Sequence, residues 1–267
     1  MPPILQTTSL SVGYNSHPIV HDVTFELNCG DFVGFIGPNG CGKSTLLRGL
    51  TGILSPIRGS VSLNGVDIRT LQRRDIAREI AVVPQDTTLQ FGFSVLEMVL
   101  MGRTPYLRRL QSAGEQDVTI AREALRRTDL LHLEHRSVVQ LSGGERQRAV
   151  IARGLTQEPS LLLLDEPDSH LDIGHQIEVF DLLRDLNNAG TTILCVSHDL
   201  NLAASYARSL VLMLEGGIVA SGTPSEILTK DHLRTVYGVD ASVMRHPVTG
   251  APQVTPLAYR KQPSPLS

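Results

Sequence analysis

The stretch FIGPNGCGKST, Phe35 to Thr45, places three glycines and a lysine directly behind a short apolar run. Glycine is a poor helix and strand former, so glycines this dense mark a loop whose backbone must curl. Gly37, Gly42, Lys43 and Ser44 fit the spacing G-x-x-x-x-G-K-[ST]. DFVGFIG ahead of the loop reads as a strand, and KSTLLRGLTGIL behind it as a helix closing near Gly52 and Pro56. In that setting, the loop from Gly37 through Pro38, Asn39, Gly40, Cys41 and Gly42 to Thr45 turns backbone N–H groups toward phosphate oxygens. The helix start adds partial positive charge. Lys43 reaches the outer phosphates, and the Ser44 hydroxyl suits Mg²⁺. A chance glycine turn is the alternative, and the strand–loop–helix context argues against it.

The 267 residues are enough for a well-buried core. A hydrophobic fraction of 41% and a charged fraction of 19% suit a globular protein. The net charge of -3, the absence of Trp and an aromatic fraction of 4% give no case for nucleic acid as a partner. The cysteines, Cys29, Cys41 and Cys195, are scattered and lack metal-ligand spacing, which favours a reducing compartment. Cys41 reads either as a reactive thiol at a helix start or as a small side chain that fits its loop. MPPILQTTSLSVGY shows no basic, apolar leader. Runs such as Leu161–Leu164 are too short to span a bilayer, so a membrane role needs a partner that does.

ILQTTSLSVGY, IVHDVTFEL and GSVSLNG read as strands and turns. From about 86 to 158 the pattern is helical, in SVLEMVLMGR, EQDVTIAREALRRTDLLHL and GGERQRAVIARGLTQEP. Strands LLLLDEP, TTILCVSHD and SLVLMLEGG then alternate with helices around HQIEVFDLLRDLNNAG and LNLAASYA. Such alternation implies a parallel sheet. The expected architecture is an α/β core with an antiparallel β part at the N-terminus and a helical insertion. The tail after about Asp240, rich in proline, reads as a loose extension.

LLLLDEP ends an apolar strand in Asp165 and Glu166. Strand C-termini of parallel sheets carry ligand sites. There Asp165 suits Mg²⁺ through its water shell, and Glu166 suits polarising a water for attack on phosphate. Two solvated acids at a strand end are the bland alternative. LSGGERQR offers Ser142, Gly143 and Gly144 at a second helix start, an anion site. It equally reads as a Ser N-cap with Glu145 three positions on. One nucleotide hardly needs two such helix ends from one chain, so a second subunit supplying one of them resolves the excess.

The glycine loop, LSGGERQR and LLLLDEP in this order resemble the nucleotide-binding subunit of ABC transporters, over about residues 4–240. The resemblance implies a P-loop NTPase fold, with residues 1–240 as one ATPase domain and 241–267 as an extension. It implies ATP with Mg²⁺, and a head-to-tail homodimer in which each P-loop faces the partner's LSGG. Tyr14 matches the aromatic that stacks on adenine; alone it could be a half-buried strand residue. Gln85 matches the glutamine that senses Mg²⁺ and the membrane partner, or is a loop amide. Asp172 in SHLD matches the D-loop that crosses the dimer interface. His198 in VSHD matches the switch histidine at the γ-phosphate, or is a strand-end histidine. Glu166, His198 and Lys43 are then the catalytic set. Asp168 departs from the Thr usual there.

The resemblance further implies multi-span permease subunits, a substrate-binding protein, and a place on the cytoplasmic face of the membrane. The segment from Gln85 to Leu107 is expected to dock on the permease. FSVLEMVLMGRTPYL, SHLD and VYGVDASVMRHPVTGAPQVTP are similar to importers of iron–siderophore, haem and cobalamin complexes. The tail similarity points to a short strand pair. The alternatives are an importer or exporter subunit for another solute, and a soluble ABC ATPase of repair or translation.

Overall fold

The computed structural model describes residues 2–85, 92–108 and 111–259. The beginning of the expected helical insertion, at 86–91, and the end of the tail, at 260–267, lie outside the described residues.

Two long strands, β1 (Leu5–Tyr14) and β2 (His17–Leu27), are joined through Asn15 and Ser16. Both linking residues have positive φ, 48° and 62°, as a tight hairpin requires. The buried β3 (Phe32–Ile36) feeds the glycine loop, and α1 (Lys43–Leu50) leaves it. β4 (Arg58–Leu63) and β5 (Val66–Asp67) form a hairpin in the register Leu63 to Val66. α2 (Arg73–Glu79) runs straight into β6 (Ile80–Val83).

Three helices with 3-10 turns between them follow. α3 (Val95–Leu100) starts on a Ser94/Glu97 capping box and passes into a 3-10 helix, Met101–Tyr106. α4 is Glu115–Arg127 and α5 is Gly143–Leu155. Strands and helices then alternate: β7 (Leu161–Asp165), α6 (Ile173–Asn188), β8 (Thr192–Val196), α7 (Leu200–Tyr206) and β9 (Ser209–Leu214). β10 (Gly217–Gly222), α8 (Pro224–Ile227), α9 (Lys230–Tyr237), β11 (Val239–Arg245) and β12 (Pro252–Tyr259) complete the described chain.

The chain forms two compact units. One comprises Met1–Gln6, Glu26–Asp31 and Ser62–Leu194 in their described parts. Its core strands are parallel: β6 pairs with β7 from Ile80–Leu161 to Val83–Leu164. The other comprises Thr7–Phe25, Phe32–Val61 and Cys195–Ser267 in their described parts. There β3 pairs parallel with β9, Val33 to Ser209 through Ile36 to Leu212, and β10 pairs antiparallel with β9. The apolar runs of β3, β7 and β8 are buried without alternation, as strands covered on both faces must be.

The structure departs from the sequence reading in three places. The helix expected over SVLEMVLMGR stops at Leu100 and tightens into the 3-10 turn that carries Pro105. α4 ends at Arg127 rather than running on to Leu133, because Asp129 takes a left-handed φ of 54°. The described part of the tail is not loose: β11 and β12 form an antiparallel pair, as its family similarity implies. Its prolines sit where a strand tolerates them, Pro252 at the first position and Pro256 beside a register shift. Asn201 on α7 anchors the pair, donating to Val254 O and accepting from Val254 N–H.

One charged residue organises the helical part of the first unit. Arg103 is 5% exposed. Its Nε donates to Asp117 Oδ1 at 2.9 Å, and its Nη1 to Thr156 O at 2.7 Å and Glu158 Oε2 at 2.8 Å. The guanidinium stacks over Tyr106 at 3.9 Å. The Asp117 carboxyl is held below its usual range, first by the Gly114 N–H and then by Arg103. The 3-10 turn is thus bolted to the C-terminal end of α5. Arg103→Met leaves the half-buried Asp117 carboxylate and the Thr156 carbonyl without this partner and is expected to cost about 2 kcal/mol. Chemical denaturation checks this; an unchanged midpoint and slope refute it.

Candidate functional site

The expected site residues fall into two groups, each within one unit. In the glycine-loop group, Gly42 caps α1 with a φ of 104°, a left-handed conformation open to glycine. Lys43 behind it is only 5% exposed. Its Nζ donates to Gly37 O at 2.8 Å and Pro38 O at 2.9 Å, and stands 3.8 Å from Cys41 Sγ. Above it Asn39 and Gly40 are exposed, Pro38 is half-buried, and nothing would meet a side chain at Gly40. A buried ammonium resting on neutral carbonyls under an open turn fits a phosphate, which supplies the counter-charge. Ser44 and Thr45 are half-buried in the first turn of α1.

Cys41 is buried at 5% exposure, which fits the packing reading of this thiol. Tyr237, at the end of α9, escaped the sequence reading. Its hydroxyl accepts a hydrogen bond from the Gly37 N–H, and burial pushes its pKa above the usual tyrosine range. Tyr14 is 38% exposed at the end of β1, and its hydroxyl accepts from Arg48 Nη1 on α1. His198 is exposed immediately after β8, before Asp199, which caps α7 through the N–H groups of Asn201 and Leu202.

The second group is built on β7. Leu161 to Leu164 are fully buried, Asp165 is half-buried, and Glu166 is 8% exposed. Glu166 has a φ of 51°, a left-handed conformation that costs a non-glycine residue of order 1–3 kcal/mol. Gln85 Nε2 donates to Glu166 Oε2 at 2.5 Å. Gln85 and Glu166 were separate expectations; the fold joins them across 81 positions. Asp168, the departure noted above, is buried.

Ser142 caps α5: its hydroxyl accepts from the Glu145 N–H at 3.2 Å, while the Glu145 carboxylate accepts from the Ser142 N–H at 2.7 Å. The Ser142 N–H and hydroxyl hold the Glu145 carboxyl below its usual range against the opposing effect of burial. The capping reading is therefore correct; the Ser142 hydroxyl gives its proton to the Glu145 carboxylate, and as a rotor it can turn that proton to an anion. Ser142 and Gly143 are exposed and Gly144 is buried. Asp172 caps α6 and is exposed.

No cluster of three His, Cys, Asp or Glu that could hold a metal exists among the described residues. Mg²⁺ needs none, since it keeps several waters and takes few protein ligands beside phosphate oxygens. No helix among the described residues is long and apolar enough to cross a membrane.

Comparison with known proteins places the chain. A family model described as ABC transporter matches residues 20–169. The ferric enterobactin transport ATP-binding protein of Escherichia coli (strain K12) is 41% identical over 97% of this chain and 96% of its own length. The hemin import ATP-binding protein of Gloeobacter violaceus is 42% identical over 95% of this chain and 94% of its own. Among solved structures, a chain of an inward-facing ABC transporter assigned to the metal-chelate type has a TM-score of 0.84 at 32% identity, covering 97% of this chain and 98% of that one. A dimeric ATP-binding cassette in a post-hydrolysis state, bound to ADP and phosphate, has a TM-score of 0.71 at 26% identity over 82% of this chain and 98% of that one.

Proposed function

We propose that this chain, which belongs to the ABC transporter family, powers the import of iron(III)–siderophore complexes, with haem and cobalamin as the related cargoes. It binds and hydrolyses ATP, the activity of that family. The observation that carries the ATPase reading is the pair of capped or glycine-led helix starts, at Lys43 and Ser142, on a chain that also carries the buried, strained Glu166.

Lys43 holds the outer phosphates by its charge, and the loop Gly37–Thr45 wraps them. Tyr14 stacks on the adenine. Ser44, Gln85 and Asp165 are the residues that would hold Mg²⁺, which would neutralise charge on the phosphate oxygens. Glu166 orients a water and takes its proton, with Gln85 fixing the carboxylate. His198 meets the γ-phosphate. Ser142, Gly143 and Gly144 act on the nucleotide of the partner subunit, and Asp172 lies at that dimer interface. We treat residues 1–240 as one ATPase domain with a helical insertion near 86–158, and 241–267 as its extension. The subunit sits on the cytoplasmic face of the membrane through multi-span permease subunits, which a substrate-binding protein serves.

The cargo reading rests on the relatives, which are ATP-binding proteins of ferric enterobactin transport, hemin import and cobalamin import. The docking reading rests on exposed apolar side chains beside α3: Phe93 is 39% and Met101 40% exposed. A deletion strain lacking this chain is expected to lose uptake of labelled ferric siderophore, and the wild-type chain to restore it. Phe93→Glu with Met101→Glu is expected to restore less than a tenth of that uptake, with basal ATPase within about twofold of wild type. Unchanged uptake of siderophore, haem and cobalamin on deletion refutes the cargo. Full rescue by the double variant refutes the docking surface.

A further inference from the structure

We propose that His175 is a positioning residue for the ATPase, which locks the first turn of α5 to Asp172 so that the two present one preformed surface to the partner subunit. The inference rests on the reading that Ser142 and Gly143 act on the partner's nucleotide.

The geometry lies wholly within the first unit. His175 is in the first turn of α6, and Asp172 caps that helix. The same carboxylate oxygen, Asp172 Oδ1, accepts the His175 backbone N–H at 3.0 Å and faces the ring Nδ1 at 2.8 Å. A side chain tied to its own cap has little rotamer freedom left. The ring lies against the backbone of Gly144. A Cβ added there would stand 2.1 Å from Cδ2, 2.7 Å from Cγ and 3.0 Å from Nε2 of His175. Leu171, just before the cap, covers the neighbouring glycine, with Cδ2 3.4 Å from a Cβ placed on Gly143. Further along the two helices, Arg148 on α5 pairs with Glu178 on α6.

The result is a gradient of exposure. Gly144 is buried and His175 half-buried, while Ser142, Gly143 and Asp172 are exposed. The exposed groups are those the dimer would use, and the buried contact sets their relative height. Gly144 is required here because the imidazole occupies the space any side chain would take. The Nδ1 contact aims the ring at Gly144, so Asp172 and the α5 start cannot move independently while His175 is in place. His175 itself touches neither nucleotide under this reading and acts through Gly144 and Asp172.

The test measures ATP-driven dimerisation of the full chain in the Glu166→Gln background, by light scattering over a range of ATP concentrations. Adding His175→Ala is expected to raise the ATP concentration for half-maximal dimer about tenfold. The Tm is expected to stay within about 3 °C and binding of a fluorescent nucleotide to the monomer at the glycine loop within about twofold, which a merely structural loss would not allow. Gly144→Ala alone is expected to cost at least tenfold in dimerisation, and no more than about threefold once His175→Ala has vacated the space. Equal costs of Gly144→Ala in both backgrounds, or an unshifted ATP dependence for His175→Ala, overturn the proposal while the ATPase reading stands. Failure of Glu166→Gln itself to dimerise with ATP overturns the dimer reading and this inference with it.

Discussion

Glu166→Gln is expected to bind ATP normally, to turn over on the order of 10²–10⁴ times more slowly than wild type, and to accumulate as an ATP-bound dimer. The substitution keeps the shape of the side chain and removes the charge that takes a proton from water. It also keeps an oxygen for the Gln85 Nε2, so the 2.5 Å contact observed with Glu166 Oε2 has a surviving acceptor. The backbone strain at φ 51° is retained, because glutamine has no greater cost there than glutamate. The effect should therefore be chemical, with little change in folding. Phosphate release measures the rate. Size-exclusion chromatography with ATP and Mg²⁺ measures the dimer, which wild type is expected to form only transiently if hydrolysis opens it. Hydrolysis at the wild-type rate would remove Glu166 from the mechanism.

Ser142→Arg should abolish hydrolysis in a homodimer without displacing ATP from the glycine loop of the same chain. Ser142 is exposed at the start of α5, and its hydroxyl accepts the Glu145 N–H at 3.2 Å. Losing that cap costs about 1 kcal/mol, too little to unfold the chain. The added guanidinium, however, stands where the partner's nucleotide is expected. Lys43→Ala should fail for a different reason, since it removes the buried ammonium now held by Gly37 O and Pro38 O. Mixing the two inactive variants creates heterodimers with one intact site, the Lys43 of one chain with the Ser142 of the other. Random pairing at equal amounts should restore about a quarter of wild-type activity if the sites act independently. A mixture that stays inactive while heterodimers form would mean that each chain hydrolyses ATP without its partner.

The parts of this site legible in the sequence share one property. Each draws its function from neighbours in the chain. The glycine loop works through consecutive backbone groups between a strand and a helix, so nine adjacent residues from Gly37 to Thr45 carry it whole. Ser142 and Glu145 cap a helix across three positions, and the apolar run Leu161–Leu164 announces its own burial. The order of these strings, and their likeness to a family, point to the fold class and the nucleotide. Periodicity was weaker where elements are short. α2, α8 and α9 are not legible, because 4 to 8 residues hold too few turns to show a period and, unlike α1 and α7, they do not follow a buried apolar strand and its motif. The tail's prolines pointed to looseness, because proline is a poor strand former unless its position in the ladder is known.

The class of fold, the phosphate loop, the acidic strand end and the capped second helix start are thus legible in the order of the residues, because all are local in the chain. The pairings between distant residues come from the folded chain alone: Gln85 with Glu166, Arg103 with Asp117, Thr156 and Glu158, Tyr237 with Gly37, and His175 with Gly144. The physical reason is that such contacts are set by packing. A residue type announces what it can donate or accept, but which of many candidate partners lies within 3 Å depends on how helices and strands settle against one another, and on the space each side chain leaves.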